Sequence, residues 1–467
     1  MTRVSERASR DAARAEHRAR VARVVLWLGL LGPLAVSTST TTAAEVMTGS
    51  LGLSAMLRAG IPAAALLLGA LIAPAKWRRG SAVEWTWALF IAFSGLSALW
   101  SIDSRSTFLK TVVFALQFVV ALRLSRMYDD LRTGLDAVAS VAGLLVASSI
   151  ASVVLSPSTA FRGTESGVTR LWSVYPSLHP NTLGLVAALS LIFTVAGYGP
   201  RWIVRRPSLR LAMALAGATV LVLTGTRYAV LLCVVVATGV LFALTRRARG
   251  GRQVVLLAAW CLGIACLVVL ATRGAGTITS FLARGQDATT LVTLTGRTDI
   301  WAQALSLVPQ SPWLGHGYYA GHRIAASALP GTDAELSNLD NMWVETLVDT
   351  GAIGAGLLLA ICIAVLIRCW SVSRATHGMA LRAIFAFFIV ASFVNPSIQT
   401  VGYGAALFTL VFLLAGNPRE PEPQHKDSRP TLSKYRRHPA RRMASDSLHS
   451  PALSDHRLVA ERLVSGS

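Results

Sequence analysis

Acidic residues are scarce in this chain. Asp and Glu number 23 against 44 Lys and Arg in 467 residues, and the apolar runs hold almost none in their middles. Ion-coupled transporters usually carry a carboxylate there, so the scarcity weighs against proton- or sodium-driven transport. Charge of either sign is thin: 14% of residues are charged, where a soluble domain carries about 25%. The five cysteines, Cys233, Cys261, Cys266, Cys362 and Cys369, lack metal-ligand spacing and fall in or at the end of apolar runs, as small packing residues do. A glycine-rich phosphate loop, GxSxG and HExxH are missing as well. No Asp-x-Asp pair lies on an outer connection, which weighs against metal-dependent sugar transfer. Neither a cofactor nor a metal is expected.

What the chain does have is apolar length: 53% of its residues are hydrophobic and its mean hydropathy is +0.54. About twelve segments are long enough to cross, or nearly cross, a ~30 Å hydrocarbon core. They lie near 23–39, 57–74, 82–100, 108–124, 134–155, 181–198, 209–225, 228–245, 253–272, 352–370, 380–397 and 402–416. The expected fold is all-α, a polytopic membrane helical bundle of about 12 transmembrane helices. Its connections alternate in character. The basic ones contain Lys76, Arg78 and Arg79; Arg123, Arg126 and Arg132; Arg201, Arg205 and Arg206; Arg246, Arg247, Arg249 and Arg252; and Arg374. With both termini in the cytoplasm, every basic cluster falls inside. The net charge of +21 is then a mark of topology in a cytoplasmic (inner) membrane and not of nucleic-acid binding. Residues 1–22 form a basic cytoplasmic segment, 23–416 the membrane domain, and 417–467 a Pro-, Arg-, Ser- and His-rich tail expected to be disordered. The small residues of STSTTTAAE would suit a cleaved signal peptide, but the topology works better with 23–39 kept as the first span.

Two outer loops are unusually long, 156–180 and 273–351, and long loops tend to carry function. In the second, Thr298 is placed to cap an amphipathic helix with Ile300, Ala304, Leu305 and Val308 on one face and Pro309 at its exit. Arg227, in LTGTRYAV, sits where two apolar runs meet with almost no polar loop between them. It either snorkels at the tip of a tight hairpin or binds an anion at the mouth of the bundle. Arg297, in LTGRTDIW, is a second candidate, with Asp299 near enough to neutralise it. Arg162 and Arg170 are weaker, as loop arginines. HPNTLG puts His179 and Asn181 at the entry to a span, as a cap or as substrate contacts. Asp340 and Asn341 begin the helix that leads into the next span. Asp340 suits an N-cap or a general base, and His316 and His322 are alternative bases, with Gly315 and Gly317 expected to loosen the backbone between them. Trp100, Trp172, Trp301, Trp313 and Trp343 suit an interfacial belt.

The run GRTDIW, SPWLGHGY, DNMWVETLVDTGAIG, with HPNTLG and GTR before it, resembles the O-antigen ligase family, which includes O-antigen and exopolysaccharide polymerases. The resemblance covers roughly 82–416 and is sharpest over 296–354. It implies inverting, metal-independent glycosyl transfer outside the cytoplasmic membrane, from a glycan on undecaprenyl diphosphate to a glycan or other envelope acceptor. Membrane lipids and other polysaccharide-assembly proteins are the implied partners. Arg227 and Arg297 would hold the diphosphate, His179, Asn181 and Asn341 would contact substrate, and Asp340 stands where many members have a His as base. The rival readings are a lipid-linked oligosaccharide flippase and a non-catalytic scaffold.

Overall fold

The computed structural model describes residues 2–36, 53–74, 79–163, 169–226, 229, 239, 297–322, 339–372, 376–395 and 402–417. Its helices are α1 (Thr2–Val36), α2 (Leu53–Ile72), α3 (Ala82–Leu96), α4 (Ser104–Arg126), α5 (Leu131–Leu155), the short α6 (Pro157–Ala160), α7 (Pro180–Ala196), the short α8 (Arg201–Val204), α9 (Pro207–Leu223), α10 (Arg297–Ser306), α11 (Met342–Ser371), α12 (Thr376–Ser392) and α13 (Tyr403–Gly416). Among the described residues, four segments are long and apolar enough to cross a membrane: Ala82–Leu99, Ser104–Arg126, Leu131–Leu155 and Met342–Ser371. Five more apolar helices are shorter, including Pro180–Ala196 and Tyr403–Gly416. The expected segment 253–272 and, apart from Ala229 and Gly239, the segment 228–245 lie outside the described residues, as does the tail after 417.

The bundle is organised around α13. Every residue from Tyr403 to Gly416 is buried, and a helix that is apolar all round belongs inside a packed core. Phe408 and Phe412 meet Phe385, Phe387 and Phe388 of α12 at ring centroids 4.9 to 6.0 Å apart, in mostly tilted or edge-on geometry that suits ring quadrupoles. By contrast α1 begins as a solvent-exposed polar helix, residues 6–18 being exposed, and buries Leu26, Leu30 and Leu34 only along its apolar second half.

Arginines tie one end of the bundle together. Arg126 makes a two-pronged ion pair with buried Glu84 (2.7 and 3.2 Å), and Glu84 also closes the capping box with Ser81 that starts α3. Arg132 donates to Gly197 O (2.9 Å), and Arg210 donates to Thr194 O and Val195 O (2.9 and 2.8 Å), satisfying carbonyls at the C-terminus of α7. The described segments 97–103 and 307–322 meet at the opposite end, through bonds such as Tyr318 N to Ser97 Oγ and Trp100 Nε1 to Leu314 O, and Arg170 reaches Thr224 O on the turn after α9.

The 156–180 loop adds the strands that a purely helical expectation leaves out. β1 (Phe161–Gly163) pairs antiparallel with β2 (Thr169–Leu171), and β3 (Ser173–Val174) with β4 (Ser177–Leu178). The register sets Arg162 opposite Arg170.

Candidate functional site

The feature that organises the polar end is a break in α11. Gly351 has φ 64° and ψ −166° in the middle of that helix, a conformation that only glycine tolerates. The break takes two carbonyls and two amides out of the helical ladder, and the SPWLGHG segment completes all four. Val348 O accepts from His316 N (3.0 Å) and Asp349 O from Gly317 N (2.8 Å). In return Ala352 N donates to Pro312 O (2.8 Å) and Ile353 N to Trp313 O (3.3 Å). Buried backbone groups must find partners, so the kink and the loop need each other.

Glycines permit the close approach. A Cβ at Gly315 would fall 2.5 Å from Asp349 O and Thr350 N, and one at Gly351 would lie 2.6 Å from Leu314 N. Gly315 and Gly317 have φ of 66° and 103°, so these residues fix the backbone here, contrary to the looseness expected of them. Tyr318 carries the segment into the bundle: its ring stacks on Phe114 at 6.0 Å, its N–H donates to Ser97 Oγ (2.9 Å) and its carbonyl accepts from Thr107 Oγ1 (2.7 Å).

Asp349 locks the same turn from its side chain. Its carboxylate accepts from Tyr319 N (2.7 Å) and His322 N (2.9 Å), and Oδ2 faces His322 Nδ1 at 3.3 Å. Both side chains are almost fully enclosed. Burial alone would push His322 down, but the charge and hydrogen bond of Asp349, helped by Glu345 and Tyr319, hold it up at about 9. Its Nε2 meets no partner among the described residues. Because the folded value lies above the ordinary 6.5, the pair stabilises the fold fully below pH about 6.5, and that contribution is lost as pH rises through about 9. Thermal unfolding of the wild type against His322→Gln from pH 6 to 10 should show the stability gap shrinking over that interval; a gap that widens with pH would contradict the assignment.

The sequence-derived candidates fall into two groups. In the first, α10 packs on the start of α11, with Ala304, Leu339 and Val348 as a small buried cluster. Trp301 Nε1 donates to Leu339 O (2.7 Å), and Glu345 Oε1 accepts from Leu339 N (2.7 Å). Arg297, the first residue of α10, and Asp340 therefore lie on packed neighbouring segments. Thr298 lies within α10, and Leu305 is exposed instead of joining the apolar face. The cap of α11 falls to Asn341, not Asp340: Asn341 Oδ1 accepts from Trp343 N and Val344 N (3.0 and 3.2 Å). Asp340 is half-buried in the left-handed region, φ 53°. His316 Nε2 sits 3.0 Å from Leu307 O.

The second group surrounds the start of α7. Its cap is His179, not Asn181: Nδ1 accepts from Asn181 N (3.2 Å), and Pro180 takes the first helical position. Asn181 Oδ1 accepts from Arg170 (2.8 Å). Arg170 is 6% exposed, unlike the solvated loop arginine it resembled in sequence. Arg227 lies outside the described residues, immediately after the turn 224–226. Three tryptophans expected in a belt make internal hydrogen bonds: Trp301 as above, Trp343 to Ser392 Oγ (2.8 Å) and Trp100 to Leu314 O (3.2 Å). Trp313 is exposed.

Long apolar helices around a buried axial helix, with polar loops knitted over one end, define a helical protein of the multi-pass membrane type. Residues 211–359 match the model of the O-antigen ligase family (Wzy_C), so the resemblance read from GRTDIW, SPWLGHGY and DNMWVETLVDTGAIG is borne out. The chain is also 30% identical over 183 residues to the exopolysaccharide production protein ExoQ of Rhizobium meliloti (strain 1021), a match covering 36% of this chain and 40% of that relative's length. The family stretch includes Arg227, α10, Asp340 and the Gly351 break; Arg170, His179 and Asn181 precede it.

Proposed function

We propose that the chain is a membrane glycosyltransferase that transfers or polymerises a glycan carried on undecaprenyl diphosphate, at the outer face of the cytoplasmic membrane. The observation that carries this reading is the interlock of 312–317 with the broken helix α11, inside the family-matched stretch. Beside it, α10, which begins at Arg297, packs on the segment that bears Asp340 through Ala304, Leu339 and Val348. An acceptor hydroxyl attacks the anomeric carbon from the face opposite the leaving group, so configuration inverts. The bond to the diphosphate oxygen breaks, and the hydroxyl proton passes to the Asp340 carboxylate. Negative charge grows on the departing diphosphate, where the guanidinium groups of Arg227 and Arg297 neutralise it, with no metal in the step. His179, Asn181 and Asn341 shape the surrounding polar surface. The oxygens of the two asparagines already accept hydrogen bonds from Arg170 and from the first turn of α11.

Purified protein in lipid, given a defined undecaprenyl-diphosphate oligosaccharide, should extend the glycan in the presence of EDTA. Arg227→Ala and Arg297→Ala should each lower the rate by about 10²–10³-fold, the usual loss for a donor aimed at developing charge. Asp340→Ala should abolish product while the protein still inserts. Near wild-type product from Asp340→Ala would remove it from the mechanism, and tolerance of both arginine changes would favour a scaffold.

A further inference from the structure

Lys110 is a charged side chain on the bundle side of a segment long and apolar enough to cross a membrane, Ser104–Arg126. It lies two turns into α4, about 9 Å along the axis from Ser104. Helical spacing puts it on the face that carries Thr107, Phe114 and Gln117, all buried. Arg105 and Phe108, on the opposite face, are exposed. A lysine near the end of a span normally snorkels outward to water. Lys110 is half-buried instead, with its Nζ over the Tyr319 ring, 4.2 Å from the centroid. That ring is firmly placed. Thr107, one turn before Lys110, bonds to Tyr318 O, and Phe114, one turn after, stacks on the Tyr318 ring. Tyr319 N donates to Asp349 Oδ2 (2.7 Å), and the His322 ring meets Tyr319 edge-on at 4.9 Å. The nearby carboxylates are committed elsewhere: Asp349 to Tyr319 and His322, Glu345 to Leu339 N. Among the described residues, the ammonium therefore has an aromatic face and no carboxylate. A ring quadrupole attracts a cation, but it returns less than a lysine costs inside a span and gives the three N–H donors no acceptor oxygen.

We propose that Lys110, backed by the Tyr319 ring, is a binding residue for the phosphate of a lipid. An ammonium is a compact charge whose donors suit phosphate oxygens, and an inward-facing charge in a span marks a substrate path by default. The bonds from Thr107 to Tyr318 and from Tyr319 to Asp349 join this position to the turn that the broken helix α11 holds. A phospholipid headgroup and a lipid-linked diphosphate offer the same chemistry. That the lipid is the undecaprenyl-diphosphate donor rests on the glycosyl-transfer reading given above, whereas the phosphate site does not.

Native mass spectrometry of the full-length protein in detergent, titrated with single lipids, tests this without turnover. The lipids are undecaprenyl diphosphate, phosphatidylglycerol, and undecaprenol, which has the same tail and no phosphate. Lys110→Met keeps an unbranched side chain and removes the charge. It should bind undecaprenyl diphosphate about 10-fold more weakly, the loss expected for a hydrogen bond to a charged group, with undecaprenol unchanged. Lys110→Arg should keep most of the affinity. Without added lipid, Lys110→Met should unfold at or above the wild-type temperature, since it sheds an unmatched charge. A lower midpoint, or equal weakening toward undecaprenol, would make Lys110 a structural residue and overturn the proposal. Unchanged affinity for both phosphate lipids would overturn it as well. A loss confined to phosphatidylglycerol would uphold the phosphate site and remove the donor from it. A wild-type chain that shows no glycan transfer, yet binds undecaprenyl diphosphate through Lys110, would sink the transfer reading and leave the site standing.

Discussion

Gly351→Ala should detach the 311–322 segment from the bundle. A methyl group at this position meets the backbone of Trp313 and Leu314, and backbone cannot swing aside as a side chain can. The substitution also forces a residue with a Cβ into a glycine-only region, at about 1–3 kcal/mol. Relieving the clash disturbs the bonds from Ala352 N and Ile353 N, each about 1 kcal/mol net. The total is several kcal/mol, a large fraction of the stability of a typical domain. Hydrogen exchange should report it as lost protection at His316 and Gly317, whose amides bond to the carbonyls the kink frees. Gly356→Ala is the control: it lies five residues on in the same helix, where an added Cβ meets nothing within 4 Å, and it should be neutral or stabilising. Equal protection in wild type and Gly351→Ala would show that the interlock does not hold the loop.

Asp349→Ala should be about as damaging, for an electrostatic reason. It strips the buried His322 imidazolium of its counter-ion and leaves the amides of Tyr319 and His322 without acceptors. Breaking a buried pair from one side costs about 3–5 kcal/mol, because the remaining charge is enclosed and unmatched. Asp349→Asn should fall between the two, since the amide oxygen keeps one acceptor but does not favour a charged imidazole. It should also remove the pH-dependent part of stability between about 6.5 and about 9. Thermal unfolding followed by tryptophan fluorescence reads both effects. Wild-type stability in Asp349→Ala would mean that the pair is not what holds the turn.

Much of this architecture was legible in the sequence, for physical reasons. Apolar runs dictate helices wherever a bundle or a membrane surrounds them, and the described parts of the other expected segments fall largely on helices. The amphipathic helix after Arg297 and the helix start near Asp340 were visible as patterns because capping and amphipathicity are local. The non-local parts were hidden. Asp349 drew no reading from the sequence, because its work depends on a turn some thirty residues earlier. Gly315 and Gly317 read as flexible points and Gly351 drew no reading, because sequence alone does not reveal that a broken ladder needs a second strand of backbone beside it. Arg170 read as a solvated loop residue, since burial of a single arginine leaves no periodicity to detect. The caps slipped by a residue or two, to His179 and Asn341, because neighbouring polar residues compete for the same amides and packing decides among them.

The account rests on bond-making at the anomeric carbon, with departure of the lipid diphosphate, and one measurement addresses that directly. Purified protein in lipid is incubated with undecaprenyl-diphosphate oligosaccharide and an acceptor glycan, and free undecaprenyl diphosphate and lengthened glycan are quantified together by mass spectrometry. The account predicts one lipid diphosphate released for each glycosidic bond formed, with the new bond inverted relative to the donor. Glycan that crosses the bilayer with its lipid still attached, and no diphosphate released, would contradict it and identify a transporter instead.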